Sequence, residues 1–260
     1  MLPEVDINMP EQVRPLKWYR ELVDRKARLA AGAFLVEGGR AIRQVITANP
    51  GAVIEILAAG EAPPAYREYP VRKVTESQFR YISRSQTPQG VLAVVRLPAD
   101  IYSDRLPADI GDKVLLLEDI QDPGNTGALI RTAAAFGFSG VILTENGADP
   151  LSPKVVQSTA GAVLSVWLRR MKDYLTPVRE LQKRGYTFIA ADLKGNAGPE
   201  VLQSMKKLLL ALGNEAAGLS DSLLDIANYR LRIPTLPEKA ESLNVAACGA
   251  ILMYLSVQIS

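Results

Sequence analysis

The chemistry first legible in this chain sits in a polar loop between apolar runs. Residues Val114–Leu143 read VLLLEDIQDPGNTGALIRTAAAFGFSGVIL, a strand, a loop, a helix and a second strand. The loop holds Asp122, Pro123, Gly124, Asn125 and Gly127, and the helix carries a lone Arg131. Open parallel sheets place ligands at the carboxyl ends of their strands, beside loops of this kind. Asp-Pro-Gly-Asn is also ordinary turn chemistry, with Pro123 suited to a helix start. The helix N-terminus that follows offers free N–H groups and a favourable field to an anion such as a phosphate. Arg131 could snorkel, pair with an acid or serve a site. No G-x-G-x-x-G follows the strand, so a dinucleotide fingerprint is missing.

Two further loops follow strands. LLLALGNEAAGLSD places Gly213, Glu215 and Gly218 just beyond an apolar run. The glycines permit turns and close approach. Glu215 could cap backbone, pair with an arginine, or hold a substrate group and position Arg131. LRIPTLPEKAESLNVAACGAILMY gives a strand ending at Ile233, a Pro-containing loop and a helix. Ser242 could be a plain N-cap, whereas Asn244, one turn in, is a mediocre helix former. Ile233, Leu236 and Leu243 could pack in a core or line an apolar pocket. Three such loops clustered at one sheet edge would suit a small cofactor with a polar substrate.

The inventory narrows the reaction. The chain has no histidine and one cysteine, Cys248. That excludes Ser–His and Cys–His catalytic units, a disulfide within the chain, and His- or Cys-rich metal sites. We expect no metal and a reducing, cytoplasmic setting. At 260 residues, 48% apolar and net charge +2, the composition is that of one or two globular domains. There is no leader pattern and no apolar run long enough to span a bilayer, so no membrane role is expected.

The elements that must hold these loops form two regions, separated by Leu97–Asp112, a Pro- and Asp-bearing stretch that reads as a linker. The first region, 1–100, opens on a basic helix over Pro15–Arg28. A strand at Ala33–Val36, a helix near Arg40–Ala48, a strand at VIEILAA, a strand leading into a helix over VRKVTESQFRYIS and a strand at GVLAVVRL complete a small α/β domain. The second region, 112–260, alternates strand and helix. After Leu143 come a helix over Pro153–Ala160, a strand near Ala162–Leu168, a helix over Pro177–Arg184 and a strand at Tyr186–Ala191. A strand at Lys207–Leu212, a short helix over Ser222–Ile226, a strand at Tyr229–Ile233 and a helix over Ser242–Val257 follow. Strands of LLL and VIL type suit burial on both faces, so the class is α/β with a mainly parallel sheet.

Charge is uneven. Between Arg14 and Arg43 there are eight bases against three acids, with Trp18 and Tyr19 interleaved. A solvated helix face is one reading and a phosphate-tracking surface the other. The second reading names Arg14, Lys17, Arg25, Lys26 and Arg28 as RNA contacts, with Arg84 in the turn-rich SRSQTPQG.

The ordered set DPGNTGALIRTAAAFG, LGNEAAGLS and IP…ESLNVAACGAILMY resembles the three motifs of the SpoU/TrmH family of RNA ribose 2′-O-methyltransferases, across nearly all of Val114–Leu255. FLVEGGRAI and SQTPQGVLAVV carry a weaker resemblance to that family's N-terminal RNA-binding module. The resemblance implies a trefoil-knotted parallel-sheet domain, a rare exception to the rule against threaded chains. It implies S-adenosylmethionine as cofactor, with Gly213, Ile233 and Leu243 contacting it and Ala191 near its edge. It implies Asn125, Arg131, Glu215, Ser242 and Asn244 as the polar active-site set, and a homodimer packed through the knot. Ala216 and Ala246 stand where the family usually has glycine and serine.

The substrate implied is structured RNA, ribosomal in preference to transfer RNA because a separate N-terminal module is present. A catalytically silent RNA-binding protein of the same fold is the alternative from a different class. In the family Arg131 would be cast as the base; a guanidinium is effectively always protonated, so a charge-stabilising role suits it better. Glu215 or the RNA phosphate would then relay the proton.

Overall fold

In the computed structural model, residues 14–83, 85–98, 100–236, 238–239 and 242–257 are described. Arg84 lies outside them. The chain divides into two compact units, residues 1–99 with 151–153, and residues 100–150 with 154–260.

The first unit begins with α1 (Leu16–Glu21) and α2 (Arg25–Ala31), then β1 (Ala33–Glu37), α3 (Gly39–Ala48), β2 (Val53–Ala59), β3 (Val71–Val74), α4 (Glu76–Ile82) and β4 (Val91–Arg96). The four strands form one sheet in the order β1-β4-β2-β3. β4 runs antiparallel to both β1 and β2, while β3 joins β2 in parallel. Tyr19, Leu57, Phe79, Ile82, Leu92 and Val94 form a buried cluster in this unit. A reciprocal capping box fixes the start of α4, Thr75 Oγ1 accepting from Gln78 N–H and Gln78 Oε1 from Thr75 N–H.

The single helix expected over Pro15–Arg28 is two helices. Leu22 closes α1, Asp24 precedes α2, and the Arg28 guanidinium donates to the carbonyls of Leu22 and Val23 at 3.0 and 2.5 Å. Those carbonyls lack partners within a helix, and a nearby arginine is a common way to satisfy them. Arg28 is therefore only 2% exposed. Helical periodicity runs through such a break, because both segments keep the same apolar spacing.

The second unit contains β5 (Lys113–Leu117), α5 (Pro123–Ala135), β6 (Gly140–Thr144), α6 (Pro153–Ser158), β7 (Trp167–Met171), α7 (Leu175–Lys183), β8 (Thr187–Ala191), β9 (Leu208–Leu212), α8 (Asp221–Leu224), β10 (Tyr229–Leu231) and α9 (Val245–Leu255). Its six strands are all parallel, in the order β10-β8-β9-β5-β6-β7. Every residue of β6 and β9 is buried, as is β5 from Val114 on, which is why these strands read as unbroken apolar runs. The α/β class with a parallel sheet holds.

Two expectations shift here. The strand placed at Ala162–Leu168 starts at Trp167; Ala162–Leu164 is a 3-10 turn that follows Ala160 and Gly161, both at positive φ. The Leu97–Asp112 stretch is no free linker beyond Asp100. Ile101 is fully buried and its carbonyl accepts from Arg170 N–H, while the Asp104 carboxylate accepts from Lys172 N–H. Arg169 donates to Arg105 O and pairs with Asp100 at 3.4 Å, and the Trp167 indole donates to Ile110 O. The segment is strapped along β7, and its prolines and aspartates hide that from a periodicity argument.

Candidate active site

In an all-parallel sheet every strand delivers its following loop to one edge. The loops after β5, β9 and β10 hold the residues singled out in the sequence. Asp122 caps α5, its carboxylate accepting from Asn125 N–H at 2.8 Å, with Pro123 at the first helical position. Asn125 thus lies in the first turn of α5 with its side chain free to reach outward. Its Nδ2 donates to Glu215 Oε1 at 3.0 Å, and its Oδ1 accepts from Asn244 Nδ2 at 3.1 Å. One amide thereby joins residues 90 and 119 positions away in sequence.

Glu215 also accepts from the N–H groups of Gln121 and Asp122, at 3.2 and 3.3 Å. Burial pushes its carboxyl up, but bonds from Asn125 and from the backbone of Glu215, Gln121 and Asp122 outweigh it, and the net shift is downward. The entrance to α5, which the sequence offered to an outside anion, is engaged by the protein's own carboxylate. Among the described residues Glu215 makes no ion pair with an arginine, and its depressed basicity argues against the proton-relay role. It joins the second loop to the first.

Asn244 is the N-cap of α9 rather than a residue one turn in, and its Oδ1 accepts from Ala246 and Ala247 N–H. Ser242 is therefore not the cap; it is exposed two residues earlier. Arg131 is not drawn into the hydrogen-bonded group. Six residues beyond Asn125, about 9 Å of helix rise, it is exposed at a recess of about 340 Å³ lined also by Ala128, Thr132, Phe136, Ser158 and Ala250.

The expected cofactor positions lie on the same edge. Ala191 ends β8, Gly213 follows β9, and Ile233 lies two residues past the end of β10, all half-buried. Leu243 is 37% exposed, and on neighbouring loops Leu193 and Leu236 are 60% and 58% exposed. Leu243 immediately precedes Asn244, and exposed leucines on loops that also carry polar groups fit a ligand with an apolar ring and a polar periphery. Gly213 is fixed by close approach, since a Cβ there would lie 2.2 Å from the Gly218 carbonyl carbon and 2.3 Å from Leu219 N. The second loop closes on itself with no room for a side chain at its first residue.

Sequence reasoning missed two supports of this edge, Asp119 and Asn214. Asp119 has φ +54°, an unusual backbone for a non-glycine residue, though Asp tolerates it better than most. Thr144 Oγ1 accepts from its N–H, Asn146 Nδ2 donates to its carboxylate, and Gln121 Nε2 donates to its carbonyl. Asn214 Oδ1 accepts from Ala216 and Ala217 N–H, and its Nδ2 donates to Asp119 O at 2.8 Å, tying the second loop to the first. An Asn after Gly at a strand end is Asx-turn chemistry, a signal that was present in the sequence.

The basic set on the first unit separates. Lys17, Arg25 and Lys26 are exposed, with Lys17 near Glu21 at 3.6 Å. Arg14 lies over the Trp18 ring at 4.5 Å and pairs with Glu55 at 3.7 Å. Arg28 is withdrawn into the protein and cannot meet RNA, a correction to its expected role. Among the described residues no cluster of His, Cys, Asp or Glu could hold a metal, and no helix is long and apolar enough to cross a membrane.

Comparison with known proteins agrees with the motif order. The SpoU rRNA Methylase family matches residues 112–254, and an MRM3-like substrate binding domain matches residues 14–93. The 23S rRNA (guanosine(2553)-2′-O)-methyltransferase RlmP of Bacillus subtilis is 32% identical over 244 residues, covering 92% of this chain and 94% of its own. The crystal structure of AviRb from Streptomyces viridochromogenes, in complex with AdoMet, superposes with a TM-score of 0.80 at 28% identity, over 93% of this chain and 96% of that one. A TrmH-family RNA methyltransferase structure from Porphyromonas gingivalis gives 0.81 at 31% identity, over 97% and 100%. With its three motifs joined at one sheet edge, the chain belongs to the SpoU family of rRNA methylases.

Proposed function

We propose that this protein methylates a ribose 2′-hydroxyl of ribosomal RNA, with S-adenosylmethionine as donor. The observation that carries this is the Asn244–Asn125–Glu215 chain of hydrogen bonds, which gathers all three family motifs at one sheet edge. Gly213, Ile233 and Leu243, with Ala191 at the edge, would hold the donor. When bound, that donor supplies a methyl already activated by its sulfonium, so no metal is required. Asn125 has one amide proton committed to Glu215; the other is left for a substrate oxygen. Ser242, exposed two residues before Asn244, is a further polar contact for the RNA. Arg131 stabilises the developing alkoxide and its neighbouring phosphate, and the proton leaves to phosphate or water. The first unit delivers RNA through Lys17, Arg25 and Lys26, with Arg14 as a further contact.

The knot and the homodimer belong to the same reading. β10 lies at the sheet edge, yet the chain returns from it to α9, which packs on α5 beside the central strand β5. That path supports a trefoil-threaded second unit. α9 is apolar on all sides and leaves Ile251 and Tyr254 38% and 50% exposed, which supports pairing with a second copy near the Arg131 recess. The setting follows the substrate, the cytoplasm where ribosomes are assembled.

The test is calorimetry with S-adenosylmethionine, followed by methyl transfer to rRNA and mapping of the 2′-O-methyl mark. Arg131→Ala should lower turnover by about 10²–10³-fold and leave donor affinity within about twofold. No donor binding by the wild type would favour a silent RNA-binding protein; transfer to tRNA alone would redirect the substrate.

A further inference from the structure

A second carboxylate lies beneath the loop that carries Glu215. Glu118, the residue after β5, is 4% exposed. Its N–H donates to Leu212 O at 2.9 Å, extending the β5–β9 ladder by one step. Its Oε1 accepts from Tyr174 OH and Ser220 Oγ, and its Oε2 from Ser220 N–H, all at 2.7 Å. A buried carboxylate persists only when its oxygens are satisfied, and three short bonds do that. The Tyr174 phenol is pushed up to about 12, first by burial and then by its bond to Glu118, so it stays protonated and keeps donating.

Ser220 is the far end of a closed loop. Gly218 N–H donates to Asn214 O at 2.9 Å, and Gly213 lies against Gly218 and Leu219 with no space between. The position of Ser220 is thus transmitted to Gly213 and Glu215. Tyr174, at the head of α7, ties the same carboxylate to a neighbouring element. Glu118 meets neither the Asn125–Glu215–Asn244 group nor solvent, and the proposed chemistry does not use it.

We propose that Glu118 is a positioning residue that sets the loop 213–220 from beneath, through Ser220 and Tyr174, so that its influence falls on methyl-donor binding and not on the transfer step. This rests on the donor site proposed above. The isosteric Glu118→Gln can keep the arrangement. Its amide oxygen takes Ser220 N–H, and its NH₂ donates to the Tyr174 and Ser220 hydroxyls, each of which can accept. Glu118→Ala loses all three bonds.

The experiment measures S-adenosylmethionine binding by calorimetry, and backbone hydrogen exchange over residues 213–220, on the full chain. Glu118→Ala should weaken donor binding tenfold or more and accelerate exchange in that loop. Its turnover at saturating donor should stay within about threefold of wild type. Glu118→Gln should restore both binding and protection to within about threefold. Unchanged binding and exchange in Glu118→Ala, or a Gln variant as defective as Ala, overturns the proposal. Should Glu118→Ala fail to fold, Tyr174→Phe and Ser220→Ala each remove one bond. Weaker binding with faster loop exchange supports the latch, and wild-type values in both overturn it. A wild type that does not bind S-adenosylmethionine overturns the functional reading instead, and the exchange data then decide the latch.

Discussion

Asn125 is held from both sides, by a carboxylate and by another amide, so its orientation is set before any substrate arrives. Glu215 sits at the positive end of α5, where an anion gains from both N–H groups and dipole. Its folded carboxyl titrates below the ordinary value, so its contribution is present above that value and lost as pH falls through the lower one. Loop docking, read as S-adenosylmethionine affinity, should therefore hold near neutral pH and collapse only in acid, below the ordinary carboxyl range. Glu215→Gln should show the weakened affinity at every pH with little further change in acid; an unchanged acid limb in the variant would remove Glu215 as its cause. Of these residues, Glu215 was legible as an acid just past an apolar run, Asn125 as part of a polar loop between strand and helix, and Asn244 as a mediocre helix former near a helix start. Asp119 and Glu118 were not, since a carboxylate at a strand end carries no sequence mark of the donor it meets 25 or 102 positions later, the Thr144 hydroxyl or the Ser220 N–H. Arg28 misled for the converse reason: its charge suggested solvent or RNA, while its partners are two backbone carbonyls six or fewer residues away.

The strands were legible as elements because burial on both faces leaves an unbroken apolar run; the start of β5, the end of β6 and both ends of β9 fall within a residue of expectation. Helix starts were less so. The cap of α9 is Asn244, not Ser242, because Asn244 Oδ1 reaches two N–H groups of the first turn. The Pro15–Arg28 segment broke where nothing but a charged side chain marks the end. α9 itself is the element with most consequence for assembly. Its exposed Ile251 and Tyr254, the latter edge-on to Phe136 at 5.9 Å, leave an apolar face on a helix that packs against α5. Ile251→Glu with Tyr254→Glu should convert a dimer to a monomer in sedimentation, with a far-UV spectrum like wild type. A wild type that sediments as a monomer across micromolar concentrations would remove the pairing.

Across the molecule the net charge of +2 hides an asymmetry, since the exposed bases Lys17, Arg25 and Lys26 lie together on the first unit. Replacing all three by Ala should weaken RNA binding and lower the slope of log affinity against log salt by about 2–3, one counterion-release term per lost phosphate contact. S-adenosylmethionine binding should be untouched; an unchanged salt slope would move the RNA surface elsewhere. The uneven charge was visible as composition, but the strapping of residues 100–112 onto β7 was not, because side-chain-to-carbonyl bonds across 57 or 64 positions leave no periodic trace. The bond between Asn244 and Asn125 also has a history written into it. Its partners are separated by 119 residues, so on a ribosome adding about 5–20 residues per second they are made about 6–24 s apart. A nascent chain therefore has the basic helices of its first unit long before it can close the bond between Asn125 and Asn244, and gains that bond only when its final helix docks.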